Sequence, residues 1–201
     1  MHTLLLASAS PRRRQFVSTL GIEATSVAPD IDETPLAGEG AELFVKRLAL
    51  QKAEACLPTA AQLGLRTILA ADTTVWLDDM TILNKPDDAE AAQGMLRSVS
   101  GTRHFVSTGF AVLDASGEIL AHDVVTASVW FRRLSDTEIE QYVASGEPLD
   151  RAGAYAIQGG AASFVERIEG SWTAIVGLPL AEVVQALSQT GRFAHLPWGS
   201  R

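Results

Sequence analysis

Ser8, Ser10, Arg12 and Arg13 stand where a short apolar run ends and a Ser10-Pro11 step opens a helix. Such a junction suits anions: backbone N–H groups and the positive helix end point one way, hydroxyls add donors, and guanidinium forks match phosphate oxygens. A solvated helix terminus accounts for the same four residues when they are taken alone. A second group is acidic. Asp30, Asp32 and Glu33 follow the second predicted strand, and Asp72 stands at the predicted C-terminal end of the third, where ligands collect on α/β sheets. Carboxylates there can bind Mg²⁺ or Mn²⁺, hard cations that share oxygen ligands with substrate phosphates. The stretch Asp30–Glu33 also reads as a loop of solvated charges. Asp72, set between an apolar strand and Thr73-Thr74-Val75, is either paired or employed. The third group is Lys52 with Lys85. Lys52 interrupts an apolar helical stripe, and Lys85 precedes Pro86 in a turn. Lysines and arginines converging on two or three carboxylates form the inventory of a metal–triphosphate site. Its chemistry needs charge neutralisation, a positioned water and little else.

Other hydrolytic chemistries lack their residues. His2, His104, His122 and His195 show no His-Glu-x-x-His spacing, and neither a Gly-x-Ser-x-Gly elbow nor a P-loop occurs. Ser8 and Ser10 therefore read as phosphate donors rather than nucleophiles. Gly153, Gly159 and Gly160 flank Tyr155 and Gln158, suggesting a tight loop against a ligand, where the Gln158 amide can read a base edge.

The elements that must carry these groups alternate. Thr3–Ala7 is predicted as a buried strand, Ser10-Pro11 as the start of a helix faced by Phe16, Val17 and Leu20 and ended by Gly21, and Ile22–Val27 as a strand. Glu42–Ala55 is the clearest amphipathic helix, with Val45, Leu48, Ala49 and Lys52 on one stripe. Thr67–Ala71 is predicted as a strand, Val75–Leu83 as a hairpin turning at Asp78-Asp79, and Asp88–Val99 as a helix. Phe105–Leu113 and Ala121–Phe131 form long strands, Ser135-Asp136-Thr137-Glu138 a capping box, Ala162–Ile168 a strand and Leu180–Leu187 a closing helix. From Gly191 onward a loose tail is expected, with Trp198 as its one docking candidate. The interleaving predicts an α/β fold with a central mixed β-sheet and flanking helices.

Composition sets the outer limits. The 201 residues are 47% hydrophobic and 20% charged, enough for a core and too apolar for a disordered chain, and residues 1–201 are expected to form a single domain. A formal charge of −8 argues against a chain built to grip duplex nucleic acid. Cys56 is the only cysteine, which excludes an intrachain disulfide. The start of the chain lacks a basic leader and no 18-residue apolar run occurs, so a cytoplasmic protein without a membrane segment is expected.

The chain also resembles the Maf family of nucleoside triphosphate pyrophosphatases. The matching segments include Leu6-Ala7-Ser8-Ala9-Ser10-Pro11-Arg12-Arg13, Asp32-Glu33-Thr34, Arg47-Leu48-Ala49, Lys52-Ala53, Ala71-Asp72-Thr73 and Lys85-Pro86. Gly146-Glu147-Pro148, Ala152 through Gly159, Ile168-Glu169-Gly170-Ser171 and Val176-Gly177-Leu178-Pro179 continue them in order. The resemblance implies two lobes around a deep cleft, similar to inosine triphosphate pyrophosphatases, and hydrolysis of a nucleoside triphosphate to the monophosphate and pyrophosphate with Mg²⁺ or Mn²⁺, often by a homodimer. It puts the proton acceptor on Asp72 and the phosphate and metal site on Ser10, Arg13, Glu33, Lys52 and Lys85. Substrate choice falls on Arg12, Thr73 and Gln158, whose residue types match the subgroup acting on dTTP and UTP rather than the one acting on 7-methyl-GTP. Trp172-Thr173-Ala174 and Asn84 depart from the family's usual residues. Which carboxylate serves as base and which as metal ligand stays open at this level. A nucleotide-binding module without turnover is the rival reading. It fits poorly with a retained Asp72, whose charge would weaken the binding of three phosphates.

Overall fold

Leu4, Leu5 and Leu6 are fully buried, because the strand they form is covered on both faces. The computed structural model describes residues 3–191 and Phe193, so the predicted tail with Trp198 lies outside the described residues. The chain runs β1 (Thr3–Ala7), α1 (Pro11–Thr19), β2 (Glu23–Val27), α2 (Ala41–Ala55), α3 (Leu57–Leu63), β3 (Thr67–Trp76), β4 (Ile82–Leu83) and α4 (Ala89–Val99). It continues through β5 (Arg103–Asp114), β6 (Ile119–Phe131), α5 (Asp136–Ala144), β7 (Val165–Glu169), α6 (Trp172–Val176) and α7 (Leu180–Gln189). Short 3-10 turns at Glu147–Asp150, Ala152–Ala154 and Gly160–Phe164 fill the interval between α5 and β7.

Among the described residues seven strands form one mixed sheet in the order β2-β1-β3-β5-β6-β7, with β4 antiparallel to the end of β3. β1 is parallel to both β2 and β3, and β7 is antiparallel to β6. The expected α/β architecture is thus present. The residues fall into two compact units. Of the described residues, one unit takes those within Met1–Asp72, Thr108–Val124 and Gly177–Arg201, and the other takes Thr73–Ser107 and Val125–Val176.

In the first unit, small side chains line much of the contact between α2 and the sheet. Ala49 and Ala53 of α2 meet Leu5, Ala7, Ile68, Ala70, Ala111 and Leu113 of the sheet, with Cys56 and Ala60 beside them. Small residues let α2 approach closely, most of all at Gly109 of β5. A Cβ there would lie 2.3 Å from the Val45 carbonyl oxygen. The second unit buries an aromatic group instead: His104, Phe131, Tyr155, Phe164 and Tyr142 pack edge to face, with ring centroids 4.9–5.9 Å apart.

Three sequence expectations need correction. β3 does not stop before Asp72 but continues to Trp76, because Thr73, Thr74, Val75 and Trp76 are the β-branched and aromatic types that favour strand. Asp72 is therefore inside a strand and not at its end. The predicted strand Ala162–Ile168 begins only at Val165, since Gly160 to Phe164 wind into a 3-10 turn closed by Ser163 Oγ on the Gly160 carbonyl at 2.9 Å. Ser10 occupies the N-cap of α1 but makes no side-chain cap bond. Two helices were also not expected: α3, with proline in its first turn directly after α2, and the five-residue α6.

Candidate active site

Asp72 reaches its place through strand register. Ala7, the last residue of β1, pairs with Ala70 of β3, so Asp72 extends past the end of β1, level with the Ser8–Ser10 turn. Lys52 arrives from α2 on the same stripe as Val45, Leu48, Ala49 and Ala53, which holds a charged side chain on the buried face of the helix. Its Nζ bonds Asp72 Oδ1 in a short contact and Glu33 Oε1 at 2.7 Å. The side chains of Lys52 and Asp72 are only 10% and 13% exposed, whereas that of Glu33 is 57% exposed. Lys52 and Asp72 thus form the inner, poorly hydrated pair and Glu33 the outer partner. A buried ion pair of this kind earns little stability for its desolvation cost. Its presence is better explained by use than by folding.

Glu33 sits on a loop without regular structure, and Arg47 fixes that loop to α2. Its guanidinium donates from Nε and Nη2 to the two Glu39 carboxylate oxygens, both at 2.6 Å, and from Nη2 to the Thr34 carbonyl at 3.2 Å. This paired fork is the geometry at which arginine excels. It was not legible in sequence, because the match joins a loop to a helix with no local spacing signal.

On the other side, Ser8 is buried and its Oγ accepts from the Ser10 N–H at 3.1 Å and from Arg13 Nη1 at 3.2 Å. Arg13 Nε donates to the Gly177 carbonyl at 2.7 Å, which locks the guanidinium in one orientation. Burial pulls the Arg13 pKa below its ordinary value, while the charges of Asp72 and Glu33 push it back up. These carboxylates are thus close enough to Arg13 to act on it. Ser8, Arg13, Glu33, Lys52 and Asp72 meet in the first unit. Ser10 forms the turn between Ser8 and α1, and Arg12 lies half-buried in the first turn of α1.

Thr73, Lys85 and Gln158 belong to the second unit. Thr73 follows Asp72 on β3, with its side chain on the opposite face. Lys85 Nζ bonds Asp150 Oδ1 at 2.7 Å, a solvent-exposed pair of the sort that contributes little. Gln158 is exposed on a turn whose neighbours, Tyr155, Ala156 and Ile157, are buried.

Glu33 and Asp72 suit a divalent cation of the magnesium type. Among the described residues no group of three or more His, Cys, Asp or Glu side chains is placed to hold a metal ion. The two carboxylates converge on Lys52 Nζ, and as oxygen donors they could hold a cation that completes its shell with water and substrate phosphates, not one in a closed protein cage.

Over residues 3–190 this chain matches the family described as Maf-like protein. It belongs to the Maf family. Among curated relatives, the dTTP/UTP pyrophosphatase of Chromobacterium violaceum is 48% identical over 190 residues, 94% of each chain. That of Myxococcus xanthus is 50% identical over 195 residues, covering 97% of this chain and 95% of the relative. The Staphylococcus aureus Ham1 protein superposes with a TM-score of 0.51 at 14% identity, covering 94% of this chain and 99% of that one, so this Maf chain shares its fold. No helix among the described residues is long and apolar enough to cross a membrane.

Proposed function

We propose that this Maf family member hydrolyses nucleoside triphosphates, dTTP and UTP foremost, to the nucleoside monophosphate and pyrophosphate. The observation that carries the proposal is the buried Lys52, held between Asp72 and Glu33 with Arg13 beside them. That site stands on the framework of a family whose similar members are named dTTP/UTP pyrophosphatases.

Glu33 and Asp72 would hold Mg²⁺ or Mn²⁺, and such a cation, when bound, supplies charge neutralisation on the triphosphate. Asp72 accepts the proton of the water that attacks the α phosphorus. Lys52 keeps the Asp72 oxygens aimed through its ion pair. Arg13, Lys52 and Lys85 stabilise negative charge on the departing pyrophosphate, and Ser10 donates to a phosphate oxygen. Base selection rests on Arg12, Thr73 and Gln158. The Gln158 amide offers one donor and one acceptor, which complement a carbonyl and the N3–H shared by thymine and uracil. The homodimer and the cytoplasmic setting belong to the same proposal.

The point of attack is open to isotope tracing. Turnover of dTTP in ¹⁸O-water is expected to place one label in the monophosphate and none in pyrophosphate. Label in pyrophosphate, or release of orthophosphate, would contradict attack at the α phosphorus.

A further inference from the structure

The backbone that carries Gln158 is held at both ends by two groups delivered from α5. That helix starts from a closed capping box, in which Ser135 Oγ accepts from the Glu138 N–H and the Glu138 carboxylate returns to the Ser135 N–H. At the other end of α5 Tyr142 is buried, and Gly146 turns the chain through a left-handed φ of 77° so that Glu147 follows immediately. The Tyr142 hydroxyl accepts from the Ala156 N–H at 3.0 Å. The Glu147 Oε2 accepts from the Gly160 N–H at 2.9 Å. These two anchors lie two residues before and two residues after Gln158. The carboxylate also lies flat against the turn. A Cβ on Gly159 would come within 1.8 Å of Glu147 Oε1, so a side chain there would push the carboxylate off the turn. Burial raises the Tyr142 pKa, the Ala156 N–H bond pulls it back, and the nearby Glu147 carboxylate raises it again, so the two anchors act on one another. Tyr155, at the head of the turn, is fixed by its hydroxyl on His104 Nε2 at 2.9 Å.

We propose that Tyr142 and Glu147 are positioning residues for base recognition, holding the 155–160 turn so that the exposed Gln158 amide keeps one orientation. The proposal rests on the reading of Gln158 as the base-reading residue. Two directional hydrogen bonds to a base require the amide plane to be held within a fraction of an ångström, and in a turn lacking a regular ladder these anchors add to its single internal bond, Gly159 N–H to the Ala156 carbonyl at 2.9 Å. The Tyr142 hydroxyl and the Glu147 carboxylate bond the backbone of the turn and none of Ser10, Arg13, Glu33, Lys52, Asp72 or Lys85, so the hydrolytic step is expected not to depend on them.

The test compares kcat and KM for dTTP and dCTP in the parental protein, Tyr142→Phe, Glu147→Gln, Glu147→Ala, Gln158→Ala and Tyr142→Phe/Gln158→Ala. Tyr142→Phe retains the ring and its packing while removing the acceptor. It is expected to raise KM for dTTP with kcat retained, reducing the preference for dTTP over dCTP by about tenfold. Glu147→Ala should act likewise, and Glu147→Gln, which keeps an acceptor oxygen, should preserve most of the preference. Because Tyr142 acts through Gln158, the double variant should discriminate no worse than Gln158→Ala alone. Parental discrimination in Tyr142→Phe alongside a loss in Gln158→Ala would overturn the positioning role. So would additive losses in the double variant. Parental discrimination in Gln158→Ala would instead overturn the underlying reading of Gln158.

Discussion

Lys52 and Asp72 show why a charged residue on an apolar stripe is informative. Lysine is almost never buried without a partner, and here the partner is the one carboxylate that strand register brings past the end of β1. Asp72→Asn leaves Lys52 its bond to Glu33 at 2.7 Å, so Lys52 keeps one counter-charge. The variant is expected to lower kcat for dTTP by a factor on the order of 10² or more while still binding an α,β-methylene analogue, read by calorimetry. A near-parental kcat would remove Asp72 from the chemistry. His104 makes a separate prediction. Burial brings its pKa from 6.5 down to about 4. As pH falls through 6.5 the unfolded chain takes up a proton that the folded chain refuses until about pH 4, so stability declines across that window and levels off below it. The urea midpoint measured against pH should show this slope in the parental protein and lose it in His104→Gln. Parallel curves for the two would contradict it.

At the scale of elements, what could be read in the sequence was what has a local period or a local cap. α2 appears within one residue of its predicted start, the Ser135 box closes as its spacing implied, and the hairpin turns where Asp78-Asp79 predicts. β3 runs past its predicted boundary because Asp72, which has the look of a strand terminator, is a strand residue whose charge is met from another element. The Arg47 clamp on Glu39 and the Tyr142–Glu147 anchors were not visible either, since each joins segments that no local period relates. Gly109 belongs to the same hidden class. Its missing Cβ lets α2 lie against β5, and the atoms in the way are backbone: the Val45 carbonyl oxygen at 2.3 Å and its carbon at 2.5 Å. Gly109→Ala must displace α2 and is expected to cost about 2 kcal/mol or more in chemical denaturation. Because α2 carries Lys52, the same shift should lower activity. An unchanged denaturation midpoint would show that the helix yields freely.

For the whole molecule, an acidic chain with a formal charge of −8 handles a polyanion by concentrating a few cations where carboxylates already hold them. On the proposed function the chemistry rests on that concentration and not on net charge, which is why bulk composition argues against duplex nucleic acid as a partner but does not name a substrate. The site residues of the first unit were legible as types at element junctions. Their mutual pairing was not, because it depends on parallel register and on loop anchoring. The measurement that tests the account most directly is kcat/KM with Mg²⁺ or Mn²⁺ for dTTP, UTP, CTP, dCTP, GTP, ATP and 7-methyl-GTP, with pyrophosphate as the monitored product. Stoichiometric pyrophosphate and fastest turnover of dTTP and UTP, exceeding the purine nucleotides by about 10² or more, are the expected result. Fastest turnover of 7-methyl-GTP, or no turnover of any triphosphate, would contradict it.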